Sequence, residues 1–160
     1  MTKPPVKPIA PPATLAVDAL YQGIKQLVER ARSQVLTQVN QALVLTYWQV
    51  GKTIKTQVLQ SDRAAYGAEV LKQLSARLTQ DYGSGFSHSG LTRMAKFYDY
   101  LPEEPIVATL SQQLSWSHFV EIIKLDNPTQ RAFYADLCAQ SRWSVRTLRE
   151  RMLNLVKDES

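Results

Sequence analysis

Apolar residues recur every three or four positions along most of this chain, the spacing of helices that bury one face. The first and longest such stretch begins near Ala16 and runs to Val58. No clear breaker interrupts it, so it predicts either one long helix or two helices joined near Asn40. Its apolar positions are Leu20, Ile24, Leu27, Ala31, Val35, Val39, Leu43, Tyr47, Val50, Ile54 and Val58.

The remaining chain shows the same helical spacing in shorter segments, without sustained alternation of apolar and polar residues. Helices are predicted over residues 68–81, 87–100, 104–113, 115–124, 128–140 and 144–156. The fold class that follows is all-α. We expect a bundle of about seven or eight helices that contains a helix-turn-helix-like pair.

Five of the eight prolines lie within the first twelve residues. Proline fixes φ and has no amide donor, so residues 1–15 are predicted to be a disordered, extended tail. A single helical domain is expected at residues 16–158. The other three prolines fall between predicted helices, and Asn127 followed by Pro128 is typical of a helix start.

Three predicted helices begin with the same pattern: an apolar residue, a serine, and a second apolar residue four positions after the serine. The pattern occurs at Phe86-Ser87-Leu91, Leu114-Ser115-Phe119 and Trp143-Ser144-Leu148. This is the spacing of a hydrophobic staple around an N-cap serine, whose oxygen accepts an unpaired backbone N–H. None has Glu or Gln three residues after the serine, so complete capping boxes are not expected.

The net charge of +5, from 19 basic and 14 acidic residues, permits nucleic-acid binding without requiring it. The basic excess lies in the first half, where residues 1–80 hold 10 basic and 4 acidic side chains. The single cysteine, Cys138, excludes an intramolecular disulfide and fits a reducing compartment. No apolar run of about 18 residues is present, so a cytoplasmic protein without a membrane partner is expected.

A search for catalytic residues finds none. His88 and His118 are the only histidines, and neither has the spacing of a metal site. The carboxylates of Glu103 and Glu104 lie between prolines, where they are typical of a helix start. We therefore predict no catalytic residue, metal ligand or cofactor in this chain.

The best binding candidate is the stretch YGSGFSHSGLTRMAKFYDYL, residues 82–101. A glycine-containing turn followed by a serine-capped helix is the layout of a helix-turn-helix, whose second helix meets DNA. Its predicted DNA-binding side chains are Ser89, Thr92, Arg93 and Lys96, supported by Lys72 and Arg77 of the preceding helix. The alternative is that Arg93 and Lys96 are the solvated face of an ordinary bundle helix.

A series of ordered motifs carries a more specific signal. They are Tyr47-Trp48-Gln49-Val50-Gly51-Lys52, Arg63-Ala64-Ala65-Tyr66-Gly67, Leu74-Ser75-Ala76-Arg77-Leu78, Gly85-Phe86-Ser87, Leu110 to His118, Arg131-Ala132-Phe133-Tyr134 and Trp143-Ser144-Val145-Arg146. In this order they resemble the N-terminal domain of the YhcG family of bacterial proteins, which contain a PDDEXK nuclease domain. The match covers about residues 17–155.

The resemblance implies a DNA-binding helical domain ahead of a metal-dependent nuclease domain whose active-site residues have no counterpart here. DNA is thus the expected partner and enzyme activity is not expected. The alternative is an interaction module whose helices over residues 16–59 pair in a homodimer or hold a nuclease partner domain. Four aromatic residues that match the family's motifs, Tyr47, Trp48, Tyr66 and Trp116, are interpreted as core residues that join the helices.

One departure from the family falls in the candidate helix. Ser89 and Gly90 stand where the family commonly has a polar or basic residue and then asparagine. A glycine in the first turn of a helix costs up to about 1 kcal/mol relative to alanine. If the family's asparagine contacts nucleic acid, Gly90 removes that contact, which weakens sequence-specific recognition.

Overall fold

The structure is a computed structural model that describes residues 13–59 and 63–159, with side chains up to residue 155. These residues form seven α-helices, one 3₁₀ turn and no strand, which confirms the all-α class. The helices are α1 (Ala13–Gln57), α2 (Ala64–Tyr82), α3 (His88–Tyr100), α4 (Glu104–Leu110), α5 (Trp116–Ile122), α6 (Pro128–Ser141) and α7 (Val145–Glu159). The 3₁₀ turn is Ser84–Phe86, between α2 and α3.

The chain divides into two units, residues 1–36 and residues 37–160. Most of the predicted proline-rich tail, residues 1–12, lies outside the described residues, and residues 13–15 form the first turn of α1. Helix α1 continues through Asn40, so the single long helix is the alternative that forms. In the first unit every described residue is exposed.

The core of the second unit consists of two apolar clusters. The larger one joins the C-terminal part of α1 to α3, α4, α5, α6 and α7 around Phe97 and Phe119. The smaller one joins α1, α2 and α3 through Ile54, Leu71, Leu91, Met94 and Ala95. Partly buried Trp116 packs against both clusters.

Three of the four aromatic residues predicted for the core are in it. Trp48 is 2% exposed, and its ring nitrogen donates to the carbonyl of Leu101 at 2.7 Å. Tyr47 and Trp116 are half-buried with their ring centroids 5.0 Å apart. The prediction was wrong for Tyr66, which is 55% exposed and lies under the guanidinium of Arg63. Tyr66 is in the first turn of α2, and an element end offers fewer neighbours to cover a large ring.

Asn40, the residue at which a break was considered, has a structural role within α1. Its side-chain amide donates to the carbonyls of Ser111 and Leu114 at 2.9 and 2.8 Å. The Gln41 amide donates to the carbonyl of Ala108 at 2.8 Å. The last carbonyls of a helix have no partner within it. Two amides of α1 therefore pair carbonyls at and just beyond the C-terminal end of α4.

The three predicted serine caps are present. Oxygens of Ser87 and Ser144 accept from the backbone N–H groups three residues later, at 3.3 and 3.1 Å. At Ser115 the structure corrects the prediction, because the capping box is complete. His118 occupies the position that Glu or Gln usually fills, and its Nδ1 accepts from the Ser115 backbone N–H at 3.0 Å. Its Nε2 then carries the proton and donates to the carbonyl of Trp143 at 2.7 Å.

A buried carboxylate connects α5 to α7. Glu121 is 5% exposed and accepts from Arg149 Nε at 2.9 Å and from Lys124 Nζ at 3.0 Å. Burial raises the pKa of Glu121, but the hydrogen bonds from Arg149 and Lys124 outweigh burial and hold the pKa below its ordinary value of 4.5. The ionised form is therefore the one that stabilises the fold.

Replacement of Glu121 by glutamine is expected to lower the free energy of unfolding by about 1–3 kcal/mol near neutral pH, because charge-assisted hydrogen bonds are lost at constant shape. A lowered folded-state pKa contributes stability that is fully present above the unfolded-state pKa and disappears as the pH falls through the folded-state value. Urea unfolding should thus show a large difference in the free energy of unfolding between Glu121→Gln and the native chain at about pH 7, and a smaller one at about pH 3. A difference of equal size at both pH values would contradict this account.

Candidate nucleic-acid interface

Helices α2 and α3 form a closely packed pair around the 3₁₀ turn. Helix α2 stops at Gly83, whose φ of +100° suits glycine and whose N–H donates to the Thr79 carbonyl. The hydroxyl of Ser75 donates to the carbonyl of Phe86 at 3.3 Å. Leu71 and Leu91 belong to the same buried cluster. The pair is thus held by contacts at the turn and in the core.

Gly90 lies where the first turn of α3 touches the backbone of the 3₁₀ turn. A Cβ atom at Gly90 would come within 2.1 Å of the Gly85 carbonyl oxygen. Gly90 is buried, although its neighbour Ser89 in the same first turn is exposed. The glycine that the sequence marks as a departure from the family therefore has a packing reason in this chain.

Replacement of Gly90 by alanine is expected to lower the free energy of unfolding by about 1–3 kcal/mol, the usual cost of overpacking. Helix propensity alone predicts the opposite, a gain of up to about 1 kcal/mol. Urea unfolding of Gly90→Ala, compared with that of Ser89→Ala at an exposed neighbour with no such contact, separates the cost of overpacking from the gain in helix propensity. An alanine at position 90 that stabilises the chain would rule out the close contact.

The four side chains predicted on α3 share one exposed face, as their spacing of three and four residues requires. Ser89, Thr92 and Arg93 are exposed, and Lys96 is half-buried. Thr92 donates back to the His88 carbonyl at 2.8 Å, and the hydroxyl of Ser89 lies 3.2 Å from that of Ser87. Within the described residues, Arg93 has no carboxylate partner. The Arg93 guanidinium can therefore donate to a ligand.

Lys96 differs from Arg93 in having an aromatic neighbour. Its Nζ lies 5.0 Å from the ring centroid of Tyr100, and the guanidinium of Arg131 lies 4.1 Å from the same ring. The Tyr100 hydroxyl donates to Asp126 at 2.8 Å, which raises the tyrosine pKa. Tyr100 therefore connects α3 to the start of α6, and its ring lies beside the Lys96 ammonium group.

The two supporting cations on α2 do not share a face. Lys72 and Arg77 are both exposed, but they are five positions apart, which is about 140° around an α-helix. They flank the buried positions Leu71 and Ser75 on opposite sides. The six predicted residues therefore do not form one continuous surface.

Two lysines of α1, which were not predicted from the sequence, follow the point where α1 crosses the candidate helix. Gly51 lies against the backbone of Met94, so α1 crosses α3 at this point. The next residue, Lys52, is exposed with its Nζ 5.6 Å from the Trp48 ring centroid, and Lys55 Nζ lies 3.7 Å from the Asp99 carboxylate. The available signal was a glycine followed closely by two lysines. That pattern does not reveal which helix the glycine contacts.

This surface combines cations and hydroxyls on a well-packed helix pair, a composition that suits contacts with phosphate oxygens. Among the residues that the structure describes, no group of three or more His, Cys, Asp or Glu side chains could hold a metal ion. No helix in the described part of the chain is long and apolar enough to cross a membrane.

The fold and this surface define a small all-α domain with an exposed cationic helix. The chain belongs to the family described as the DUF1016 N-terminal domain, whose match covers residues 23–157. It is similar to "Putative nuclease YhcG" of Escherichia coli (strain K12), with 28% identity over 165 residues. That alignment covers 84% of this chain and 44% of the relative, so the chain spans less than half of the relative's length. These matches confirm the resemblance to the N-terminal domain, and no solved structure matches the chain.

Proposed function

We propose that this chain is a non-catalytic DNA-binding domain that contacts the duplex through the exposed face of α3. The observation that carries the proposal is the set Ser89, Thr92, Arg93 and Lys96, displayed on one side of a helix whose other side is locked into the core. The relative's name describes a nuclease, an enzyme class that acts on nucleic acid. This adds support for a nucleic-acid ligand.

The helix-turn-helix mode of binding fits the order of these groups. Its second helix enters the major groove with its N-terminal residues near the bases, while neighbouring elements hold the phosphate backbone. Arg93, exposed in the second turn of α3, has the fork that suits a phosphate or a guanine edge. Lys96 and Lys52 act as point charges toward the backbone. The positive end of α3, at Ser89, faces phosphate.

The proposed role is to bring DNA to a catalytic domain rather than to cut it. In the longer relative, the nuclease chemistry would belong to the part that this chain does not match. A duplex bound on α3 would then be held near that part. Binding to bacterial DNA also calls for a cytoplasmic location.

Fluorescence anisotropy of a labelled duplex with the native chain tests the proposal. Each neutralised phosphate contributes about −0.9 to the slope of log association constant against log salt. Three contacts, from Arg93, Lys96 and Lys52, predict a slope of about −2.7. Binding that is absent or independent of salt would contradict DNA binding. Cleavage of the duplex in the presence of Mg²⁺ would contradict the non-catalytic part of the proposal.

A second candidate, a protein-interaction module, is favoured by one observation in the first unit. The described residues 13–36 expose large apolar side chains, among them Leu20, Ile24 and Leu27. Such a surface is more typical of a contact between proteins than of a contact with DNA.

A further inference from the structure

The N-terminal part of α1, residues 13–36, is an amphipathic helix with its apolar side in solvent. Its large apolar side chains are between 44% and 70% exposed. Most helical stability in proteins comes from packing of the apolar face, and the described residues of this segment are all exposed. We expect this face to be covered in the working form of the protein.

The spacing of the apolar residues indicates the kind of helix that covers it. They follow one another at intervals of three, four, three and four residues, which are the a and d positions of heptads: Val17, Leu20, Ile24, Leu27 and Ala31. The a positions hold β-branched Val17 and Ile24, and the d positions hold Leu20 and Leu27. In parallel coiled coils this choice favours two strands.

The charged residues are placed for the same arrangement. Asp18, Lys25 and Arg32 occupy b positions and Glu29 occupies an f position, on the side away from the a and d seam. Arg30 occupies a g position that borders the seam, and in a parallel pair it faces the uncharged e residue Val35 of the second copy. Two copies of the helix can therefore approach along the seam without bringing these charges together. The d position after Leu27 is Gln34, so the apolar seam ends near Ala31.

The apolar area also suits self-association. Full burial of a Val, Leu or Ile removes roughly 100 Å² of apolar surface. Seven large apolar residues at the a, d and e positions of residues 13–36, about 60% exposed, offer roughly 400 Å² per copy. Stable interfaces bury roughly 800 Å² per partner, and polar stems at the rim contribute a large share of it.

From the heptad spacing, the charge placement and the exposed area, we infer that residues 13–36 pair with the same segment of a second copy as a parallel two-stranded coiled coil. This pairing does not depend on DNA. It would place two DNA-binding units in one assembly.

Sedimentation of the native chain without DNA, over a range of micromolar concentrations, tests the pairing. The native chain should sediment as a dimer, and Ile24→Lys with Leu27→Lys should raise the dimer dissociation constant at least tenfold. The matched control, Gln22→Lys with Gln26→Lys, adds the same charges on the solvent side and should leave the dimer unchanged. A monomeric native chain, a larger oligomer, or a seam variant that remains dimeric would overturn the inference.

Cross-linking tests the parallel orientation. With Val17→Cys, a parallel pair brings both copies of residue 17 to facing a positions, where a disulfide forms on mild oxidation. In an antiparallel pair the two cysteines lie near opposite ends of the coiled coil. The native chain is the control, since Cys138 is buried. A dimer that fails to cross-link at position 17 would overturn the parallel arrangement.

Discussion

Replacement of Gly51 by valine is expected to lower the free energy of unfolding by about 3 kcal/mol or more, at the upper end of overpacking costs. A Cβ atom at Gly51 would lie 1.9 Å from the Met94 carbonyl oxygen and 2.5 Å from its carbon. These are backbone atoms of α3, so no side chain can rotate away. Relief requires that α1 and α3 separate, which would open the cluster that contains Ile54 and Leu91.

Urea unfolding followed by circular dichroism measures this loss. The matched control is Gly23→Val, in the same helix, where a Cβ atom would meet nothing within 4 Å. Both variants gain the same side chain, so the difference between them reports the helix crossing. Equal stability of the two variants would show that α1 and α3 do not touch at Gly51.

Helix positions could be predicted from the sequence because periodicity and capping are local properties. The start of α6 at Pro128 follows from Asn127, whose side chain accepts from the backbone N–H groups of Thr129 and Gln130. The capping box at Ser115 was missed because the pattern specifies Glu or Gln. A histidine fills that role only when tertiary structure fixes its ring, and here the carbonyl of Trp143 does so.

In the candidate site, too, the features that depend on spacing along one helix could be predicted from the sequence. The shared face of Ser89, Thr92, Arg93 and Lys96 was predicted because residues three and four apart on one helix are neighbours. The separation of Lys72 from Arg77 follows from their five-residue spacing and was open to the same reasoning.

The contribution of the α1 lysines to this surface could not be predicted from the sequence. The neighbourhood of Lys52 and Lys55 is set by the crossing of two helices distant in the chain. The role of Gly90 could not be predicted for the same reason. Helix propensity describes α3 alone, whereas a Cβ atom at Gly90 would meet the carbonyl of Gly85 in the preceding turn.

Reversal of charge at Arg93 and Lys96 to glutamate is expected to raise the dissociation constant for duplex DNA at least about 100-fold at low salt, which corresponds to about 2.7 kcal/mol. Each substitution removes a phosphate contact and places a repulsive charge beside the backbone. The fold should persist, because Arg93 is exposed and Lys96 is only half-buried, with a ring contact to Tyr100. Circular dichroism verifies the fold, and anisotropy measures the binding.

The control for this variant carries the same change in net charge. Lys25→Glu with Arg32→Glu alters two exposed cations of residues 13–36 and should change the dissociation constant less than about threefold if α3 carries the specific contacts. A loss as large as that of the α3 variant would mean that overall charge governs binding. That outcome would contradict the assignment of the α3 face.

The most direct test of the central claim is the salt slope of DNA affinity, compared between the native chain and the variant with Arg93→Glu and Lys96→Glu. Loss of two phosphate contacts should make the slope shallower by about 1.8, at about 0.9 per contact. The account predicts this reduction together with the weaker binding. Identical slopes and equal affinities in the two proteins would show that α3 does not contact DNA.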